Sequence, residues 1–328
     1  LGAVLMLLAT QVTSFGAVYV VLLAFCLCYF PTIALTNSIT MQQVANPARD
    51  FPPIRTLGTL GWIAINLVVG FMRIEAQSTP FLLAAAASVV MAVYSLVALP
   101  HTPPRAKGQT ASVRQILGLD ALAMMKQRSF AVFVIASILA CIPLTFYYSF
   151  TNPYLNEVGV VNAAGKMTLG QMSEVPMLLA MPLVFRAISI RGVLLLVGMA
   201  AWSARYVLFA AGNNGELVWM LYGGILLHGI CYDFFFIAGQ LYTDQEAPQH
   251  LRSTAQGFIT FVTYGVGMLA GSLVSGGILD YFSSTAAGVV SRDWTAFWLF
   301  AATMSFGIML MVLFFFQSSR KIGGAPAS

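Results

Sequence analysis

Apolar runs long enough to cross a bilayer recur about every 30 residues along nearly the whole chain, and few charges interrupt them. A hydrocarbon core about 30 Å thick takes about 20 helical residues per crossing, so this spacing is the plan of a polytopic membrane protein. Of the 328 residues, 59% are hydrophobic and 8% charged, whereas a soluble domain carries about a quarter charged residues. No water-soluble fold covers that much apolar surface, and the runs leave no stretch for a separate soluble domain. Backbone groups in lipid must be satisfied within each span, which makes the fold class all-α, and the runs are too long and uniform for a β-barrel.

Helices are expected near 1–10 (partial), 16–40, 56–74, 79–99, 129–151, 166–185, 192–212, 217–243, 254–281 and 294–317. Starting with the loop after 16–40, every second loop carries the basic residues Arg49, Arg105, Lys107, Arg114, Lys126, Arg128, Arg186, Arg191, Arg252, Arg320 and Lys321. The opposite loops hold only Arg73, Lys166 and Arg292. The first side is therefore expected to be cytoplasmic, with the C-terminus on it. The net charge of +5 follows from these loops and does not call for a nucleic-acid partner.

The longest polar connection divides the chain into an N-terminal bundle over 1–99, a cytoplasmic linker over 100–128 and a C-terminal six-helix bundle over 129–328 with a short tail. Within the linker, VRQILGLDALAMMKQR is expected to lie along the surface as an amphipathic helix. The chain opens on LGAVLMLLAT, without an initiator Met, a basic n-region or a cleavage site. It reads as an N-terminally truncated pair of six-helix bundles with about ten of twelve helices present, numbers 3–6 and 7–12. Cys26, Cys28, Cys141 and Cys231 all lie in apolar runs and are expected to act as small hydrophobes, not as disulfides or metal ligands.

Ionisable groups inside spans are costly, face the interior and mark pathways or couplings. Glu174 lies mid-helix in GKMTLGQMSEVPMLLAMP with Gln171 three residues before it on the same face. A stacked carboxylate and amide suit a substrate with hydroxyls or ring N–H groups, or else make structural bonds to a neighbouring helix. In LLHGICYDFFFIAGQ, His228 and Tyr232 share a face with Asp233 one step round. Asp233 and His228 are candidate proton carriers; the alternatives are a permanently paired Asp and a neutral packed His.

Arg55 follows two prolines expected to start its helix, near the cytoplasmic end. It is read as a mobile partner for an acid such as Asp233, or as snorkelling to the interface. Gly58 and Gly61 are expected to admit another helix closely. Arg205 in AAWSARYVLFAAG has no acidic neighbour on its helix, and a structural bond to loop carbonyls is expected. Among Phe146, Tyr147, Tyr148, Phe150 and Tyr154 a flat ring ligand could stack, although Tyr154 reads as part of an interfacial aromatic belt. Glycines 265, 267, 271, 276 and 277 are expected at packing and bending positions. No Walker motif, zinc-ligand spacing or nucleophile elbow is present in the sequence, so the chain does not read as an enzyme.

The strings PTIALTNSI, DFPPIRTLGTLGWI, LPHTPP, ILGLDA, GQMSE, WSARYVLFA, YDFFFIAGQLY and RSTAQG occur in this order. Together they resemble the nucleoside:proton symporters, a branch of the major facilitator superfamily, over about residues 11–316. The resemblance implies a twelve-helix, two-bundle fold with a central site, alternating access, and nucleoside import by proton symport across the inner membrane. It implies substrate-binding roles for Thr59, Trp62, Thr145, Tyr148, Gln171, Glu174, His228 and Tyr232, and a proton-coupling role for Asp233 with Arg55. Thr145 and Tyr148 stand where well-known members carry amides, and His228 where they carry tyrosine.

The expected energy source is the proton gradient, with no cofactor and no metal. The expected partners are nucleosides, protons and the bilayer, with no obligate protein partner. Two alternatives remain open: a major facilitator transporter for a sugar or other small polar solute, and an uncoupled membrane receptor or channel.

Overall fold

The computed structural model describes residues 1–72, 74, 77–100, 119–286 and 289–317. Ten helices follow one another: α1 (Gly2–Ala9), α2 (Phe15–Gln43), α3 (Pro47–Met72), α4 (Thr79–Val97), α5 (Arg128–Glu157), α6 (Ala163–Ala187), α7 (Ile190–Ala211), α8 (Val218–Glu246), α9 (Arg252–Tyr281) and α10 (Trp294–Phe315). Among the described residues, nine of these, α2 to α10, are long and apolar enough to span a membrane. Large apolar side chains such as Phe71, Leu96 and Leu273 stand exposed on the outside, as lipid-facing positions require.

The ends of several helices differ from expectation for identifiable reasons. Helix α3 starts at Pro47, nine residues before the expected start at 56, with Pro52 and Pro53 inside it. The Asn46 side chain accepts from the Arg49 N–H at 3.3 Å, and the Asp50 carboxylate accepts from the Asn46 N–H at 3.2 Å, so the true cap lies before both prolines. The prolines forfeit two ladder bonds without ending the helix. Arg55 therefore lies about 12 Å along the axis from the start of α3.

In the connection between the fourth and fifth helices, the described part, Leu119–Lys126, is a 3-10 helix, not part of an amphipathic α-helix. Residues 101–118 lie outside the described residues, as do Arg73, Arg320 and Lys321. A two-stranded antiparallel hairpin, β1 (Ser283–Ala286) and β2 (Val289–Arg292), joins α9 to α10. It is tied to the end of α5 by Arg292 and Glu157 at 2.8 Å.

The main core lies among α5 to α10. One end is aromatic, with Trp202, Tyr206, Phe209, Phe297 and Trp298 fully buried. Tyr154 belongs to this core: it is 2% exposed and its hydroxyl donates to the Phe209 carbonyl at 2.6 Å, so it is not a belt residue. Gly267 and Gly271 bring α9 against α5, since a Cβ at 271 would lie 2.3 Å from Thr145 Oγ1 and 2.8 Å from the Cys141 carbonyl. Gly276 and Gly277 border open space and have no such packing role. The first four helices meet the last six along two seams, α3 on α6 and α2 on the first half of α9. In the second seam Ser38 and Ser253 hydroxyls lie 2.7 Å apart, and Gln42 donates to both.

Candidate functional site

A polar line crosses the α3–α6 seam. From α3, the Thr59 hydroxyl donates to Glu174 Oε2 at 3.0 Å, linking residues 115 positions apart. The other carboxylate oxygen, Oε1, lies 3.1 Å from His228 Nε2 on α8, and His228 Nδ1 lies 3.1 Å from Arg205 Nη2 on α7. Arg205 also donates from Nε to the Gly224 carbonyl at 2.9 Å, and its guanidinium lies 3.4 Å from the Tyr147 ring centre. His228 and Arg205 are buried at 1% and 0% exposure, and Glu174 is nearly so.

Backbone proximity makes this line possible. A Cβ at Gly229 would lie 2.6 Å from the Ser173 carbonyl carbon and oxygen and 2.7 Å from the Glu174 nitrogen, so only glycine lets α8 lie this close to α6. The Gly229 N–H uses the approach to donate to Ser173 Oγ at 2.9 Å. Rings enclose the imidazole: Tyr147 stacks on it at 4.9 Å, Tyr232 at 5.8 Å, and Tyr148 meets it edge-on at 5.8 Å.

Asp233 begins a π-helical turn, Asp233–Ile237, that interrupts α8; such bulges are frequent at functional sites. It is 1% exposed, and neither carboxylate oxygen has a hydrogen-bond partner among the described residues. Arg55 lies within electrostatic range of both Asp233 and Glu174 but outside hydrogen-bond contact with Asp233. Its guanidinium folds back over Gly58, where a Cβ would meet Nη1 at 2.5 Å. Gly58 thus makes room for Arg55 and not for another helix, and Gly61 faces open space.

The profile of the family described as nucleoside H+ symporter matches residues 1–321. The chain belongs to that family. The Escherichia coli K12 protein YegT is 40% identical over 97% of this chain and 77% of its own length. The crystal structure of the nucleoside transporter NupG superposes with a TM-score of 0.71 at 30% identity, covering 97% of this chain and 80% of that one. The E. coli fucose:proton symporter FucP, at 17% identity and a TM-score of 0.66 over 97% of this chain and 81% of that one, shares the fold. The fold is that of the major facilitator superfamily, all-α and multi-pass. Family members are transporters, not enzymes.

Of the residues that the family resemblance implied, the fold brings Arg55, Thr59, Glu174, His228, Tyr232, Asp233 and Tyr148 to one region where α3, α5, α6 and α8 converge. Gln171 is half-buried one turn before Glu174. Tyr148 is 44% exposed, and the Tyr232 hydroxyl lies 2.8 Å from that of Tyr264. Two residues stand apart. Thr145 is 1% exposed, donates to the Cys141 carbonyl at 2.8 Å and packs on Gly271 of α9. Trp62 is 59% exposed and has no ring contact among the described residues.

Sequence reasoning assigned Arg205 a structural bond to loop carbonyls. The carbonyl it meets belongs to Gly224 within α8, and its other arm reaches His228. The available signal was its i-to-i+23 relation to a histidine on the next helix, which only the packing of α7 on α8 makes meaningful. Tyr264, in contact with Tyr232 and stacked on Phe30 at 5.5 Å, was not singled out at all.

Proposed function

We propose that nucleoside binds where the Thr59, Glu174 and His228 groups converge, and that Asp233 with Arg55 couples its movement to a proton. Nucleoside import with a proton is the activity of the family, and the residues that perform it here are inferred from geometry. The observation that carries the reading is the hydrogen bond of Thr59 to Glu174 across the α3–α6 seam beside a buried, unpartnered Asp233. A carboxylate and imidazole offer an acceptor and a donor to ribose hydroxyls or base edges, and Tyr148 and Tyr232 offer ring faces.

Alternating access follows if residues 1–99 and 129–328 act as two bundles that rock about these seams. Substrate competing for Glu174 would then loosen the α3–α6 seam. Asp233 has no fixed partner at this distance from Arg55, so closure that brings the guanidinium to about 4–6 Å would favour the anion, and opening the neutral acid. We place the chain in the inner membrane with the basic loops and C-terminus cytoplasmic. The proton gradient is the energy source.

The test is calorimetric titration of uridine and adenosine into the purified protein and its Glu174→Ala variant. Binding lost in the variant supports the assignment; unchanged affinity refutes it.

A further inference from the structure

Arg205 is not among the groups assigned to substrate or proton above, yet it is completely buried in contact with one of them. A guanidinium carries five N–H donors and no acceptor. The ring nitrogen of His228 that meets Arg205 Nη2 at 3.1 Å must therefore be the acceptor, without a proton of its own. That leaves the single imidazole proton on Nε2, which faces Glu174 Oε1 at 3.1 Å.

Arg205 is held in this orientation from two further directions, by the Gly224 carbonyl and by the Tyr147 ring. The charged and titratable groups around His228 are Glu174 from α6, Arg205 from α7, Tyr147 and Tyr148 from α5, and Tyr232 of its own helix, with Asp233 of that helix and Arg55 of α3 in electrostatic range of Glu174. A second proton on the ring would have to sit on Nδ1, pointing straight at the guanidinium.

We propose that Arg205 is a positioning residue that fixes His228 as the Nε2–H tautomer, so that the imidazole keeps its one proton on the Glu174 side and is not a carrier of the transported proton. Mechanistically this divides the labour between neighbours on α8. Glu174 keeps one hydrogen-bond donor, Thr59 Oγ1, and has His228 Nε2 at 3.1 Å from its other oxygen, whereas Asp233 has no hydrogen-bond partner among the described residues. The inference rests on the substrate-site reading only for its consequence; the tautomer itself is a property of the ligand-free protein.

The experiment is nitrogen-15 NMR of histidine-labelled full chain in lipid bilayers, without nucleoside. The chain has three histidines, and His228→Gln identifies the signal. Wild type is expected to show the Nε2–H form unchanged from about pH 5 to about 8, the range in which a free histidine titrates. Arg205→Met should release it to a titrating mixture of tautomers, with Arg205→Lys, which keeps a cationic donor, retaining the wild-type form. In transport, Arg205→Met should gain an inflection in its pH profile that Arg205→Met with His228→Gln lacks. A wild-type imidazolium near pH 6, or an Nδ1–H tautomer, overturns the proposal without recourse to any variant. An Arg205→Met signal identical to wild type overturns it too. Loss of nucleoside binding by wild type would instead count against the substrate site and leave the tautomer result standing.

Discussion

Replacing Thr59 by Val keeps the volume and removes one hydroxyl, the donor to Glu174 Oε2 at 3.0 Å across the α3–α6 seam. A hydrogen bond to a charged group is worth about 1.5–3 kcal/mol. Glu174 retains His228 at 3.1 Å on its other oxygen, so it is not stranded and the lower end of that range applies. At about 1.4 kcal/mol per factor of ten, loss of the bond should shift the balance between the state with α3 and α6 in contact and the separated state about tenfold. Spin labels at exposed positions of the two helices, read by pulsed dipolar spectroscopy in bilayers, report those populations directly. Thr59→Ser retains the hydroxyl and should leave the distribution near wild type. Equal distributions for Thr59→Val and wild type, or equal disruption by Val and Ser, would show that the bond does not hold the seam.

Gly229→Ala should lower thermal stability by about 1–3 kcal/mol, the cost of overpacking, because the new methyl meets Ser173 and Glu174 backbone that cannot swing aside; unchanged melting would mean that α8 and α6 are not this close. Gly58→Ala meets only the end of the Arg55 side chain, so it should leave folding intact and impair proton-driven accumulation, with normal accumulation counting against the folded-back arginine. Trp62 is exposed in this conformation. If it stacks on the base during the cycle, a contact of about 1–3 kcal/mol, Trp62→Ala should weaken uptake more than Trp62→Phe, and equal effects would assign it mere bulk.

The helices were legible because hydropathy and length alone decide them in lipid, and the expected ends of α9 and α10 fall within two residues of those observed. The start of α3 was not, because a proline pair reads as a helix start when the cap that competes with it, Asn46 with Asp50, lies several residues upstream. Within the site, Glu174, His228 and Asp233 stood out as costly groups in apolar runs. What they touch depends on packing between helices far apart in sequence. Thr59 looks like any threonine until α3 meets α6, and Gly58 and Gly61, alike in sequence, turn out to face an arginine and open space respectively. Tyr154 was misread because a buried tyrosine with a carbonyl partner and an interfacial one have the same local sequence.

Asp233 is the proposed proton-linked group, and Asp233→Asn, which mimics the neutral acid, tests that role most directly. In proteoliposomes the measurement is paired: exchange of labelled uridine or adenosine at equal concentrations, and accumulation driven by an inward proton gradient. Exchange should persist in the variant, because the Thr59, Glu174 and His228 groups are untouched, whereas accumulation above the external concentration should vanish. A variant that still concentrates nucleoside, and loses this on addition of an uncoupler, would contradict the assignment.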